Sequence, residues 1–461
     1  MIPHYFRLAL MRLRRNVWLT TLIVLAIAVG IGSSMTVFTV LYTLAADPMP
    51  WKSSHLFAPV MDTNDPRRPR PTDYQAYISA GLFSYPDAMS ITATLPTLRR
   101  AAMFSVSQVV RNSDPTRLPV AVEGQATQSD FFSMFDVPFL HGSAWGRAED
   151  ESRANVVVIS KAVAAHFFPG TNPVGRAVQL GIRDFRIVGV TDDWAPFPAF
   201  YDPLGVTDAV KVRNGPQIFL PIRSAVQNEF PPTGFVTATV IPQLSLAPKA
   251  APKTPTLSNM QIYYSCPCFL QTQLWVELGG AADAQRYRQA LDGYAEELRQ
   301  HGGFTWKPTT ALHSMREWLL LSPQTASMRR EFGLAAWVAL GFLLVCLANA
   351  GALMLARFSR RSGELAVRRA LGAPRRALMA QCLVESGLIA ILGGLLGLLI
   401  TLAGLQLERA SVPREMIRAV HPDWQLMAAT VAVAMLVGIA AGLYPAWHAS
   451  RVRGGLELKS L

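Results

Sequence analysis

The chain has 461 residues, of which 51% are hydrophobic and only 16% are charged, and its formal net charge is +12. This composition is more apolar than that of an ordinary soluble domain, so membrane spans are the first expectation. The arginines crowd the ends of the apolar runs and no nucleic-acid-binding motif is present, which argues against nucleic acid as the partner of the basic charge.

Four long stretches of the chain lack charged residues. They are residues 16–46, 332–356, 386–407 and 425–447. A bilayer core takes about 20 apolar helical residues, so each stretch can cross a membrane. Because backbone groups in hydrocarbon must bond to one another, the spans are predicted to be helices. The first run is longer than the apolar region of a cleavable signal peptide, about 7–15 residues. It is therefore predicted to be an uncleaved helix that continues outside the membrane as a stalk.

The basic residues orient these spans. They cluster before the first span, between the second and third spans at 357–376, and after the fourth, whereas the loop at 408–423 carries mixed charges. The positive-inside rule therefore places both termini and the 357–376 loop in the cytoplasm, and residues 47–328 on the other side. The segment before the first span is either amphipathic, with Arg7 and Arg12 facing lipid headgroups, or a plain basic flank.

The exported region at 47–328 mixes strand-like and helix-like patterns. Strands are predicted at 119–122, 155–159, 185–190 and 217–220, and helices at 130–135, 161–168 and 281–300. These elements indicate an α+β domain, of two lobes, that is large enough to have its own core. The proline-rich insert at 241–257 is predicted to be an extended surface loop.

The cysteines and the missing motifs restrict the disulfide, metal and enzymatic chemistry that the chain can carry out. Cys346 and Cys382 fall in the second and third spans and are predicted to be packing residues. Cys266 and Cys268 form a candidate disulfide in an exported, oxidising setting, with unpaired thiols or a metal or redox pair as alternatives. No phosphate-binding loop, zinc-protease motif or nucleophile elbow is present, so a non-enzymatic chain without a bound cofactor or metal is predicted.

Small residues in the last two spans are candidates for helix packing, because they let membrane helices approach closely. They are Gly393, Gly397, Ala434, Gly438 and Gly442. The alternative is that these glycines are incidental. Glu385, at the inner edge of the third span, is expected to reach the membrane surface with its carboxylate rather than mark a transport path.

Four segments carry a family resemblance. They are "VEGQATQSDFFSMFDVPFLHGSAW" (122–145), "NVVVISKAVAAHFFPGTNPVGRAVQLGIRDFRIVGV" (155–190), "GELAVRRALGAPRRALMAQCLVESGLIAILGGLLG" (363–397) and "GLYPAWHASR" (442–451). With their NPVG turn, RRALGA loop and Pro-Ala pair, they resemble MacB-type and FtsX-like permeases, the membrane subunits of type VII ABC transporters. The resemblance runs along nearly the whole chain in the right order. The tail "RVRGGLELKSL" departs from it, since the family more often has a proline there.

The resemblance implies a dimeric permease of the bacterial inner membrane, with four transmembrane helices and a large α+β periplasmic domain between helices 1 and 2. The expected domains are 1–46 with the first helix and the start of its stalk, 47–328 as a two-lobed periplasmic core, and 329–461 as the permease domain. Little sequence precedes the first span, so the ATPase that binds ATP and Mg²⁺ is expected to be a separate subunit.

The loop between the second and third spans is predicted to be the coupling element that sits on this ATPase. A short helix over 363–371 would end at Gly372, a favourable residue after a helix, and Pro374 would prevent its continuation. The candidate coupling residues are Glu364, Leu365, Arg368, Arg369, Leu371 and Gly372. The alternative is that the arginines only fix the topology and touch headgroups.

Several functions are compatible with such a permease. The first is mechanotransmission, in which ATP-driven motion passes through stalks at 36–46 and 322–330 to expel a peptide, antibiotic or other compound, with a periplasmic adaptor and an outer-membrane duct. The others are lipoprotein release and FtsX-like control of a cell-wall hydrolase. A membrane-tethered enzyme is disfavoured by the missing catalytic motifs. The dimer would pair two copies of the chain, or one copy with a related permease.

Overall fold

The computed structural model describes residues 17–411 except 46, 64–65, 68–80, 113, 115, 195, 197–199, 202–214, 235, 238–259, 268, 303, 322, 361–362, 365–366, 368–370 and 373, and then only positions 428, 432, 436, 439, 443 and 447. The chain divides into two compact units. The helical unit comprises Met1–Ala46, Met328–Val412 and Met416–Leu461. The sheet unit comprises Asp47–Ser327 and Pro413–Glu415.

The regular elements follow one another along the chain. They are α1 (Val17–Ala45), β1 (Leu56–Asp62), α2 (Tyr85–Thr94), β2 (Arg99–Arg111), β3 (Val120–Thr127), α3 (Asp130–Met134), β4 (Phe139–Gly142), α4 (Arg147–Ser152), β5 (Val156–Ser160), α5 (Lys161–Phe167), β6 (Ala177–Leu180), β7 (Arg183–Thr191), β8 (Ile218–Pro221), α6 (Ile222–Gln227), β9 (Val236–Thr237), α7 (Met260–Ser265), β10 (Phe269–Leu270), β11 (Gln273–Glu277), α8 (Ala281–Gln300), β12 (Thr309–Ser314), α9 (Met315–Leu321), α10 (Pro323–Ser359) and α11 (Arg375–Ser411). The predicted strands and helices of the sheet unit are confirmed, with ends that differ by a few residues.

The sheet unit is built on one large mixed sheet. Its ten strands include the path β12–β1–β11–β2–β3–β8–β5–β7–β4, and β6 pairs with both β2 and β7. The pairs β3–β8 and β5–β7 are parallel, and the other pairs of this sheet are antiparallel. Strands β9 and β10 form a separate two-stranded sheet. The division into two lobes stays a prediction.

Apolar side chains fill both faces of the large sheet, because successive residues of a strand point to opposite sides. In β5, Val157 and Ile159 join one core, while Val156 and Val158 join the other. Helices α2, α5 and α8 cover the first face. The second core is rich in aromatic side chains, and each large side chain buried there contributes roughly 1.5–3 kcal/mol. The sheet unit is therefore held together mainly by apolar burial.

The NPVG motif at 172–175 forms a tight turn before β6. The side-chain oxygen of Asn172 accepts a hydrogen bond from the Val174 N–H at 3.1 Å, and the Gly175 N–H donates to the Ile187 carbonyl at 2.8 Å. Gly175 has φ +87°, a left-handed conformation that glycine adopts without steric cost. The local sequence therefore explains why the chain turns back towards β7 at this point.

The helical unit contains three described helices that are long and apolar enough to cross a membrane, at Val17–Thr39, Gly333–Ser359 and Arg376–Leu407. They agree with the first three predicted spans. The predicted fourth span, 425–447, lies outside the described residues except for six helical positions. Helices α1 and α10 each extend beyond their apolar part, to Ala45 at one end and from Pro323 at the other. Both predicted stalks therefore continue a membrane helix.

Candidate functional site

A buried ion pair joins the helices of the helical unit near one end. Arg357, in the last turn of α10, places its Nη2 atom 2.7 Å from Oε1 of Glu385 in α11. Arg357 also donates a hydrogen bond from Nη1 to the Thr20 hydroxyl of α1 at 2.8 Å. Arg357 is 1% exposed and Glu385 is 2% exposed. The guanidinium therefore ties all three described membrane helices together at one level.

The expectation that Glu385 reaches the membrane surface is wrong. Its carboxylate is enclosed by helices and faces an arginine, because a buried carboxylate is tolerated when an opposite charge satisfies it. The sequence contained a signal for this pair. Arg357 and Glu385 lie at similar distances before and after Gly372, so a helical hairpin that turns near Gly372 places them at the same depth.

Close backbone contact joins α1 to α11. A Cβ atom added at Gly393 would lie 2.7 Å from Cγ2 of Ile27, and one added at Gly397 would lie 3.2 Å from the Ala28 carbonyl oxygen. Gly32 and Gly404, which the sequence analysis missed, are equally restricted, with Ile400 Cγ2 at 2.5 Å and Thr36 Oγ1 at 2.8 Å. At Gly393, Gly32 and Gly404 a Cβ atom would require the facing side chain to shift, whereas at Gly397 it would only tighten the contact with the Ala28 carbonyl oxygen. Ala434, Gly438 and Gly442 lie outside the described residues.

Polar bonds to backbone carbonyls add to these contacts. The Ser34 hydroxyl of α1 donates to the Ala339 carbonyl of α10 at 2.9 Å. The Thr401 hydroxyl of α11 lies 3.3 Å from the Gly32 carbonyl oxygen and 3.0 Å from that of Gly397. Such bonds between helices stabilise a membrane bundle modestly, by about 0.6–2 kcal/mol each.

The predicted coupling loop lies between α10 and α11. Its Leu371 N–H donates to the Val367 carbonyl at 3.0 Å, a helical bond, and Gly372 follows with φ +96°. Val367 is 50% exposed and Leu371 is 82% exposed, so the loop presents apolar side chains outward. Glu364 is also exposed, whereas Leu365, Arg368 and Arg369 lie outside the described residues.

The loop is anchored on both sides. Phe358, beside Arg357, and Leu378, in the first turns of α11, are buried in the same apolar cluster as Ile23 and Ile27 of α1. Cys382 is buried in this cluster as well, whereas Cys346 is half-buried, and neither is in a disulfide. A displacement of the loop would therefore act directly on the packed ends of α10 and α11.

The sheet unit shows no catalytic constellation in the part of the chain that the structure describes. No group of three or more His, Cys, Asp or Glu side chains among those residues could hold a metal ion. Cys266 is disulfide-bonded, while its predicted partner Cys268 lies outside the described residues, as does the insert 241–257. Asp150 is a structural carboxylate, because it accepts hydrogen bonds from the Trp145 indole and the Ser129 N–H, both at 2.7 Å.

Comparisons with known proteins identify two matching families along the chain. A family model described as MacB-like periplasmic core domain matches residues 20–292, and one described as FtsX-like permease C-terminal matches residues 336–453. The solved periplasmic region of MacB from Actinobacillus actinomycetemcomitans matches 59% of this chain and 94% of its own, at 11% identity and a TM-score of 0.34.

Curated relatives include two proteins named macrolide export ATP-binding/permease protein MacB. The one from Syntrophobacter fumaroxidans is 25% identical over 382 residues, covering 79% of this chain and 51% of the relative. The one from Agrobacterium fabrum is 23% identical over 435 residues, covering 92% of this chain and 54% of the relative. The ABC transporter permease YknZ of Bacillus subtilis is 31% identical over 100 residues, which cover 22% of this chain and 24% of YknZ.

The chain thus spans about half the length of these two MacB relatives. Its apolar helices and its MacB-like periplasmic domain make it a membrane protein with a large periplasmic domain. Since the two family models together match most of the sequence, the chain belongs to the MacB/FtsX-like family of type VII ABC transporter permeases.

Proposed function

We propose that this permease couples ATP hydrolysis by a separate ATPase subunit to a change of shape in its periplasmic domain. The observation that supports the proposal is the exposed apolar surface of the coupling loop, Val367 and Leu371, held between the buried anchors Phe358 and Leu378. Exposed apolar side chains on a short charged loop favour a protein partner. ATP and Mg²⁺ would be bound by that partner.

The helices offer a route for the motion. Helix α10 is one uninterrupted helix of 37 residues, about 55 Å long at 1.5 Å per residue. The buried pair Arg357–Glu385 and the Thr20 hydroxyl link its end to α1 and α11. A push on the loop would therefore move the three helices as a group, and the stalk parts of α1 and α10 would carry the displacement towards the periplasmic domain.

The membrane arrangement that fits this function is a multi-pass protein of the bacterial inner membrane. Both termini and the 357–376 loop lie in the cytoplasm, as the arginine placement favours. A fourth span at 425–447 completes the permease domain, with Ala434, Gly438 and Gly442 as packing residues. The permease acts as a dimer with a second copy or a related permease, and contacts an adaptor and an outer-membrane duct.

The cargo follows by analogy with the relatives, which are named for macrolide export. We propose efflux of a peptide, antibiotic or other compound. A deletion strain separates this from the other activities of such permeases: drug sensitivity supports efflux, trapped lipoproteins support lipoprotein release, and chained cells support control of a cell-wall hydrolase.

The direct test is affinity purification of the tagged chain from native membranes, with the ATPase trapped by a transition-state mimic and identified by mass spectrometry. Wild-type protein should recover an ABC ATPase, and Leu371→Asp or charge reversal at Glu364 and Arg369 should lose it. Leu118→Asp is the matched control, because Leu118 is 76% exposed but lies in the sheet unit. An intact wild-type chain that never recovers an ATPase would refute the proposal, and equal recovery with Leu371→Asp would exclude the loop as the docking site.

A further inference from the structure

Strand β12 lies at one edge of the ten-stranded sheet, with β1 as its neighbour on the inner side. The Ser314 N–H donates to Oε2 of Glu317 at 3.1 Å, so it faces away from β1. Because strand residues alternate, the backbone groups of Thr310 and Leu312 face outward as well. The strand register agrees with this orientation, because Leu312 lies opposite Pro59 of β1, which has no N–H to donate to the Leu312 carbonyl.

The outward groups of β12 are only partly occupied. The Leu312 carbonyl oxygen lies 3.5 Å from Nη2 of Arg288, which comes from α8. Among the residues that the structure describes, no group bonds to the Leu312 N–H or to the backbone N–H and carbonyl of Thr310. The Thr310 hydroxyl itself donates to Oδ1 of Asp292 at 3.2 Å. An unpaired strand edge of this kind is a template for another strand.

A groove runs along this edge. Its volume is about 570 Å³, and it is lined by residues 310–313 of β12, by Arg288 of α8 and by Glu317, Leu320 and Leu321 of α9. Leu320 is 54% exposed and Leu321 is 44% exposed. The groove therefore combines unpaired backbone groups, apolar side chains, the Arg288 guanidinium and the Glu317 carboxylate within one site.

We propose that this groove binds an extended segment of a partner protein, which adds to the sheet as a strand beside β12 and carries an acidic side chain next to Arg288. Added strands gain affinity from main-chain hydrogen bonds and specificity from the side chains beside them. The partner's apolar residues would contact Leu320 and Leu321. Helix α9 ends at Leu321 and the membrane helix α10 begins at Pro323. The groove residue Leu321 is therefore only two residues along the chain from the start of a membrane helix.

The charge of Arg288 favours an acidic partner segment. Among the described residues its guanidinium forms no ion pair with a carboxylate, whereas Asp292 pairs with Lys307 at 2.6 Å and Glu317 accepts a hydrogen bond from the Ser314 N–H at 3.1 Å. An acidic partner segment provides the carboxylate that Arg288 can bind through two nitrogens.

The first test uses the full chain in lipid nanodiscs and capped eight-residue peptides of alternating valine and threonine with one central aspartate, since β-branched residues favour the extended state. Hydrogen exchange should show new protection at the Thr310 and Leu312 amides when the peptide binds, but not at Ala311 or His313. A peptide with N-methylated backbone amides along one edge should bind at least about tenfold more weakly. Binding without protection of the Thr310 and Leu312 amides would overturn the proposal.

Variants of one position provide a matched pair. Thr310→Pro removes the outward N–H without removing a bond to β1, and proline is tolerated at sheet edges. It should weaken binding about tenfold, whereas Thr310→Val keeps the N–H, loses only the hydroxyl and should bind within about twofold of wild type. Arg288→Gln should abolish the preference for the aspartate peptide over its asparagine counterpart. If Thr310→Pro binds the peptide like wild type, or if it instead dissociates a dimer of the chain, the proposal is wrong.

Discussion

The sheet unit and the helical unit are held together in different ways. Most of the described tryptophans of the sheet unit are buried, as the fully enclosed Trp275 shows, although Trp51 is 67% exposed. In the helical unit Trp337 is 72% exposed, while glycines and an ion pair occupy the contacts between helices. Lipid tails are as apolar as leucine, so helices in a membrane gain little by burying leucine against each other. Apolar burial therefore stabilises one unit, whereas close backbone approach and polar bonds stabilise the other.

The largest expected effect is in the aromatic core of the sheet unit. Trp275 is 0% exposed and contacts the rings of Phe135, Phe200 and Trp318. Trp275→Ala should lower the free energy of unfolding of this unit by about 4 kcal/mol, because it leaves a cavity. Trp337→Ala, on the outer surface of the helical unit, is the matched control and should change little. Chemical denaturation of the full chain in detergent measures both, and equal losses would contradict the comparison.

The second effect concerns the buried ion pair. Glu385→Leu leaves the Arg357 guanidinium among apolar helices without its carboxylate, which should cost the helical unit about 3 kcal/mol. The double variant Arg357→Met, Glu385→Leu should recover most of that loss, since two apolar side chains replace two charges. Unfolding in increasing dodecyl sulfate measures the stability of the helices.

Arg376→Met is the control for the ion pair, because Arg376 is an exposed arginine near the start of α11. It should leave the unfolding curve unchanged. A Glu385→Leu protein as stable as wild type would show that the pair does not hold the helices together.

The third effect concerns close packing. Gly393→Ala should destabilise the contact between α1 and α11 by about 2 kcal/mol, because its methyl group would lie 2.7 Å from Ile27. Gly387→Ala is the control in the same helix, where an added Cβ meets nothing within 4 Å. Alanine favours helix over glycine, so this control should be neutral or slightly stabilising in the same assay. Equal stability of the two variants would show that close packing at Gly393 does not stabilise the contact between α1 and α11.

The smallest expected effect is the pH dependence of the stability of the sheet unit. Burial raises the pKa of Asp87, although the Ser84 and Tyr294 hydroxyls donate to its carboxylate. The folded chain therefore keeps this proton at a pH where the unfolded chain has lost it. The stability that this gives is present below the ordinary aspartate pKa of about 4 and is lost as the pH rises through the raised value.

Asp87→Asn should remove that slope in unfolding curves measured from about pH 3 to 7. Exposed Asp114 provides the opposite case, because hydrogen bonds from Thr116 lower its pKa. Asp114→Asn should remove a contribution to the stability of the sheet unit that is lost as the pH falls. An Asp87→Asn protein with the wild-type slope would show that other groups cause the pH dependence.

Much of this arrangement could be predicted from local sequence. The charge-free runs predicted the first three membrane helices, and the spacing of Tyr287, Leu291 and Leu298 predicted the amphipathic helix α8. The burial of Glu385 does not follow from local hydrophobicity, and its signal is the similar spacing of Arg357 and Glu385 from Gly372. A carboxylate near the end of a span is compatible with the membrane surface or with a buried partner, and only the position of Arg357 on the neighbouring helix decides between the two.

Local sequence also does not predict the order of the strands in the sheet or the groove beside β12. The sequence indicates that 309–314 is extended, but not that β12 lies at the edge of the sheet or that Arg288 and Glu317 flank it.

The sequence by itself determined which of the described helices are long and apolar enough to cross a membrane, which loops are basic and which segments form helices and strands, because these depend on hydrophobicity and periodicity over short distances. Only the tertiary structure decided which charges are paired, which glycines meet another backbone and which strand edge stays open. Those properties arise from contacts between residues far apart in the chain, such as Thr20 with Arg357, and no local pattern encodes them.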